Sequence, residues 1–322
     1  MAILGRLSAT LQGIDSNSFA DEDERIYAEN LLFNALSRIQ SPWDIAWNHN
    51  WVNASIHGAA KSLIDAGLFK KWVEHGSKPE SSESLAKMAD ADPVLIIKKT
   101  GFKNPTDIKN CVVQHVKGPY ESLFDYIAAD PIRNKEFMDA MECHSKWNMT
   151  TWTDTQNWIG HWLSMLVVAK EKFRLKHPEI PDGSLVIEDL PETIAEVEVP
   201  NKAIAKQPYN FFTPQPLKGA RAYFMHTVLH DWSDEPAIKI LRNIAGGMEK
   251  GYSKLLIHEK LVANVRPSRR TTTSDIIMLA CTASAERTEK EWHELVNAAG
   301  LKIVNIWRQP MALDGVIEVD LA

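Results

Sequence analysis

The chain has 322 residues, a net charge of -6 and a pI near 6.0, which suits one large domain or two medium ones with a buried core. Mild acidity with no offsetting basic patch argues against nucleic acid as the main partner; the one basic cluster, Arg266, Arg269 and Arg270, falls in a predicted proline-containing loop. Cys111, Cys143 and Cys281 lie far apart without metal-ligand spacing, so the reading is reduced thiols in a cytoplasmic protein with no metal.

The first stretch, "MAILGRLSATLQGID", is apolar for too few residues to make a signal peptide or a membrane span, which points to a soluble protein. Ser41 with Pro42 is a helix start, and Trp43, Trp47 and Trp51, spaced by four, fall on one helix face. Most of the tryptophans lie between 43 and 162, where they suit either an apolar pocket and dimer core or plain core packing. Gly67 reads as a helix C-cap, "SESLAKMADADP" as a short helix, and the segment from Tyr120 to Trp152 as two helices broken at Asp130-Pro131.

From about residue 160 the period changes. Short apolar runs of strand length at 184–190, 220–225, 253–262, 301–309 and 315–321 are separated by helical patterns, the last carrying a capping box from Thr288 to Glu291. Strands alternating with helices predict a doubly wound α/β fold with a mostly parallel sheet; the last two strands suit an antiparallel edge pair. The expected organisation is a helical domain over 1–155 followed by an α/β domain over 156–322.

In such sheets ligands bind beyond the carboxyl ends of the strands. The polar residues there are Glu188 and Asp189 after one strand, His226, His230 and Asp231 after the next, Glu259 at the end of "LLIHE", and Glu286 before the last helix. A neutral imidazole steadied by carboxylates can deprotonate a hydroxyl. The competing reading of the same turn is a plain helix start at Ser233, Asp234 and Glu235.

The segments "YNFFTPQPLKGARAYFMHTVLHDWSDEPAIKILRNIAGGMEKGYSKLLIHEKLV" and "AERTEKEWHELVNAAGLKIVNIW" closely resemble the plant and fungal S-adenosylmethionine-dependent O-methyltransferases. The match covers nearly the whole chain, with "SPWDIAW" to "AAKSLIDAGLF" similar to the dimerising helices of the fungal branch and "TGFKNPTD" onward to its substrate segment. The resemblance implies a Rossmann-like methyltransferase sheet preceded by a shortened winged-helix-like region, and a homodimer that acts on an aromatic or polyketide-like molecule of secondary metabolism. It implies His230 as general base, Asp231 as its neighbour, Glu259 and Glu286 as the acids that hold the imidazole, and Asp189 as the ribose ligand. Asn210, Phe211 and His226 fall at further cofactor positions, and Met141, His144, Trp147, Trp152, Ile277 and Met278 are substrate-contact candidates.

The chain departs from that pattern in several places. The Gly-rich cofactor loop is absent, and the only close glycine pair, Gly246-Gly247, falls in a helical stretch downstream. The first strand belongs at 165–168, unless 158–175 is one continuous helix, and part of the winged-helix region after "ADADPVLI" is skipped. Asn210 stands where the family commonly has Asp, and His226 where it has Lys or Arg. Three functions stay open: methyl transfer, cofactor-independent pericyclic or dehydrative catalysis on the same fold, and a catalytically silent dimeric partner.

Overall fold

The computed structural model describes residues 2–15, 17–48, 52–53, 63–64, 67–76, 78, 81–89, 106–118, 120–137, 139, 163–164, 178–196, 204–264, 267–308 and 313–322. Contacts divide the chain into two units, Met1–Asn53 and Ala54–Ala322.

The first unit holds helices Ala2–Leu11, Glu22–Ile39 and Pro42–Trp47. Asp21 caps the second by accepting the Glu24 amide, and Glu22, Asp23 and Glu24 complement the positive end of its dipole. The third opens at Ser41 with Pro42 in its first turn, as the sequence predicts, and Asp44 completes a capping box with Ser41. Helix Glu22–Ile39 has no buried residue, and Tyr27, Phe33 and Ile39 are 66%, 68% and 77% exposed. The face shared by Trp43, Trp47 and Trp51 falls partly outside the described residues.

The second unit is built on a seven-stranded sheet. Its strands are β1 (Leu163–Ser164), β2 (Leu185–Asp189), β3 (Ile204–Pro208), β4 (Ala222–His226), β5 (Lys254–Lys260), β6 (Leu301–Trp307) and β7 (Asp314–Leu321), in the order β3-β2-β1-β4-β5-β7-β6. The first five are parallel, and β7 lies antiparallel between β5 and β6. The expected edge pair therefore forms, but its second strand inserts beside β5.

The first strand exists: Leu163–Ser164 are described in it, with Ser164 paired to Val186 on one side and Tyr223 on the other, while the expected 165–168 lie outside the described residues. Strand β3 has no counterpart among the predicted strands. It is an edge strand in which buried Ile204 precedes more exposed Lys206 and Pro208, so its apolar signal is weak.

Side chains alternate across the sheet with period two. Tyr223, Met225, Leu255, Ile257, Ile317 and Val319 pack with Ile240, Leu241, Trp292 and Leu295 from helices Asp234–Ala245 and Glu289–Ala298. Ala222, Phe224, Leu256 and Val316 join a second cluster with Leu185, Ile187, Ile194 and Ile204. Strand β5 is buried from Leu255 to Lys260, because it is covered on both faces.

Helix Arg269–Thr282 begins earlier than the apolar pattern suggests, since Ser268 caps it by accepting the Thr271 amide. Arg269 and Arg270 therefore lie in a helix rather than a loop, and Arg266 lies outside the described residues. Gly246 and Gly247 follow the helix that ends at Ala245 instead of lying inside it. A Cβ at Gly247 would meet Gln215 Cγ at 2.6 Å and the Leu217 carbonyl at 2.8 Å. Gly247→Ala is therefore expected to lose about 1–3 kcal/mol of stability through forced repacking. Equilibrium urea unfolding checks this, and an unchanged midpoint would contradict the crowding.

Candidate active site

Beyond β4 the chain makes a sharp turn. Thr227 takes φ 48°, and a short 3-10 turn, Leu229–Asp231, precedes the helix that starts at Asp234. Glu259, at the end of β5 and fully buried, accepts the amides of Val228 and Leu229 at 2.9 Å each through one oxygen, Oε1. Arg287 donates to the carbonyls of Leu229 at 2.8 Å and Trp232 at 2.7 Å, and pairs with Asp234 at 2.9 Å. The Ser284 hydroxyl donates to the His230 carbonyl. His230 is thus not part of the helix start. It stands on its own turn, fastened from three sides.

The His230 ring is buried, with Nδ1 3.1 Å from Glu286 Oε1 and 4.0 Å from Glu259 Oε2, and Nε2 3.7 Å from Asp231 Oδ1. Glu286 is steadied in turn by helix Arg269–Thr282: Ser274 donates to Oε1 at 2.5 Å, and Asp275 accepts the Glu286 amide at 2.9 Å. Lys260 Nζ lies 3.3 Å from that same Oε1 and is itself buried. Among the described residues, Thr227 and Ala283 alone combine a side chain with positive φ, and they sit in the turns that deliver His230 and Glu286.

Burial alone would lower the His230 pKa, but the carboxylates of Glu259, Asp231 and Glu286 overcome it and push the pKa up to about 9. Burial raises Glu259 and Asp231. Glu286 goes the other way: the cations of Lys260 and His230 outweigh its burial and hold it well below the usual carboxylate range. Burial pushes Asp275 up to about 6. Donor atoms of His230, Glu259 and Glu286 lie within 4.8 Å of one another, the spacing a metal set would have. Lys260 and backbone amides take one oxygen of each acid, while Oε2 of Glu259 and of Glu286 is buried without a hydrogen-bond partner among the described residues.

The predicted cofactor positions gather at the same end of the sheet. Asp189 closes β2 beside the β1–β4 switch point and is half-buried; burial raises its pKa and the Leu190 amide takes one oxygen. Tyr209 bonds back to the Asp189 carbonyl, which sets Asn210 close to it, although Asn210 Oδ1 is used to accept the Phe212 amide. Phe211 packs edge-on against Trp232, with ring centroids 5.8 Å apart, and so faces the core. His226 ends β4, stacked on His258 with Nδ1 atoms 2.8 Å apart, and its buried Nε2 has no partner. Burial holds both imidazoles neutral, His258 near 4 and His226 well below its ordinary value. The segment after β1, where the missing loop would lie, is outside the described residues, and no glycine occurs between Gly160 and Gly183.

Ile277 and Met278 are half-buried, three and four positions beyond Ser274, and so share its helix face. Met141, His144, Trp147 and Trp152 lie outside the described residues. The sequence reading missed Lys260, Ser274, Asp275, Ser284 and Arg287. Each looks like an ordinary polar residue at a strand or helix end, and nothing local marks it as part of the surroundings of His230, its turn or Glu286.

A doubly wound sheet with an antiparallel β7, carrying an imidazole braced by two buried glutamates, defines a methyltransferase-type α/β protein. Residues 171–302 match the O-methyltransferase domain model. The O-methyltransferase mfmE of Annulohypoxylon moriforme is 31% identical over 391 residues, covering 98% of this chain and 95% of the relative. Solved structures share the fold: OxaC in complex with sinefungin and meleagrin at TM-score 0.65 and 18% identity, over 100% of this chain and 97% of that one, and a pericyclic reaction enzyme at 0.60 and 19%, over all of both chains. The chain belongs to the O-methyltransferase family. No helix among the described residues is long and apolar enough to cross a membrane.

Because His230 has a raised pKa in the folded protein, its contribution to stability is fully present below about pH 6.5, its unfolded value. That contribution is lost as pH rises through about 9. The stability difference between wild type and His230→Gln is therefore expected to shrink over that window. Urea midpoints at several pH values measure it, and a difference independent of pH would contradict the charge pattern around the ring.

Proposed function

We propose that this chain transfers a methyl group from S-adenosylmethionine to a hydroxyl of an aromatic or polyketide-like small molecule, with His230 as general base. The observation that carries the reading is the hydrogen bond from His230 Nδ1 to the buried Glu286 carboxylate. It holds the proton on Nδ1 in the neutral ring and leaves Nε2 to accept one from a hydroxyl. Glu259 acts mainly on the backbone, fixing the turn on which the ring stands.

The cofactor residues present suit an adenosyl group in part. Asp189 is a half-buried carboxylate for ribose hydroxyls, His226 offers an unpartnered buried nitrogen, and Asn210 and Phe211 lie on the neighbouring turn. When bound, the cofactor supplies an electrophilic methyl; the protein's part is to orient the hydroxyl and take its proton. Ile277 and Met278 supply apolar surface for a flat substrate, joined by Met141, His144, Trp147 and Trp152. We assign catalysis to residues 156–322 and substrate covering to 1–155. The exposed apolar side chains of helix Glu22–Ile39 support a homodimer built through this region.

A second reading, catalysis without methyl transfer, is favoured by two observations. His230 at about 9 is an imidazolium at neutral pH, suited to polarising a carbonyl or hydroxyl. The stretch after β1 also lacks the glycines that let backbone approach a cofactor, and the alignment with the Annulohypoxylon relative is longer than this chain.

Calorimetric titration is expected to show saturable binding of S-adenosylmethionine and S-adenosylhomocysteine. With a phenolic acceptor panel, product one methylene heavier is expected, falling about 10²–10⁴-fold in His230→Gln. No binding by folded protein would sink methyl transfer and leave the second reading. Light scattering is expected to give twice the chain mass for the whole protein, and a monomeric mass would remove the dimer.

A further inference from the structure

Lys260 is a buried lysine for which the proposed chemistry gives no task. Its side chain is 5% exposed, on the strand that also carries Glu259. Placing an ammonium there is costly unless paired charges repay its lost hydration. Its closest acid is Glu286, at 3.3 Å from Oε1, and its register neighbour across β5 and β7 is Asp314. Glu286 Oε1 is the same atom that lies 3.1 Å from His230 Nδ1. One carboxylate oxygen therefore faces two cations, and what one takes the other gives up.

The charges around the ring show why this matters. His230 faces Asp231 from its own turn, Glu259 from β5 and Glu286 from the loop before helix Glu289–Ala298. Helix Arg269–Thr282 adds Ser274, donating to Glu286, and Asp275, accepting its amide. Arg287 is turned away to the carbonyls of Leu229 and Trp232 and to Asp234. Against three carboxylates, Lys260 is the cation placed on the oxygen that His230 uses.

We propose that Lys260 is a positioning residue for His230: by sharing Glu286 Oε1 it loosens that acid's hold on the imidazole proton and sets the pH at which the ring becomes a free base. The direction follows from the geometry: a cation on the acceptor oxygen weakens that oxygen's attraction for the imidazole proton. Its catalytic meaning rests on His230 as the base, but the titration itself needs neither substrate nor methyl donor.

The test is nuclear magnetic resonance titration of histidine-labelled protein, with the His230 signal assigned by its loss in His230→Gln. Lys260→Met is expected to raise the His230 midpoint by about one pH unit or more. Lys260→Arg, which keeps the charge, is expected to restore it to near the wild-type value. In a Glu286→Gln background the effect of Lys260→Met is expected to fall to less than half. A midpoint unmoved or lowered in folded Lys260→Met overturns the proposal, as does an equal shift in both backgrounds. Lys260→Gln, uncharged but still polar, gives the same reading if the methionine variant does not fold. Absence of methyl transfer would leave these midpoints untouched, so the two ideas fail separately.

Discussion

The carboxylate of Glu286 is the fixed point of this molecule's site. One of its oxygens receives the Ser274 hydroxyl at 2.5 Å, His230 Nδ1 at 3.1 Å and Lys260 Nζ at 3.3 Å. A buried anion is tolerable only when its charge is met by donors and cations at close range. That requirement draws a helix, a strand end and a turn to one place. Thr227 and Ala283, both at positive φ, sit in the turns that lead to His230 and Glu286.

Environment gives one residue type two chemistries at this end of the sheet. His230 meets three carboxylates and is pushed up to about 9. His258, two residues before Lys260 on β5, is held near 4 by burial and by that lysine. His226, stacked on it, is neutral as well. An imidazole with a raised pKa and a pair with lowered ones thus stand at the same end of the sheet.

Family membership and site geometry bear on different questions. The relatives establish an O-methyltransferase chain, while the way His230, Glu259 and Glu286 are braced decides what proton chemistry it can perform. The stretch between β1 and β2, free of glycine from 161 to 182, is where the usual link between the two is weakest.

Period and capping residues alone determined much of the architecture. The helix start at Ser41-Pro42, the capping box at Thr288, the break at Asp130-Pro131, the alternation of strands with helices and the acid–imidazole set at strand ends are all local signals, and the structure contains each of them. Strand β3 escaped because an edge strand needs few apolar residues. Insertion of β7 between β5 and β6 is a matter of pairing between distant segments. Only the tertiary structure turned Lys260, Ser274 and Asp275 from ordinary polar residues into the setting of His230. Burial and charge proximity arise between residues far apart in the chain, and no local pattern encodes them.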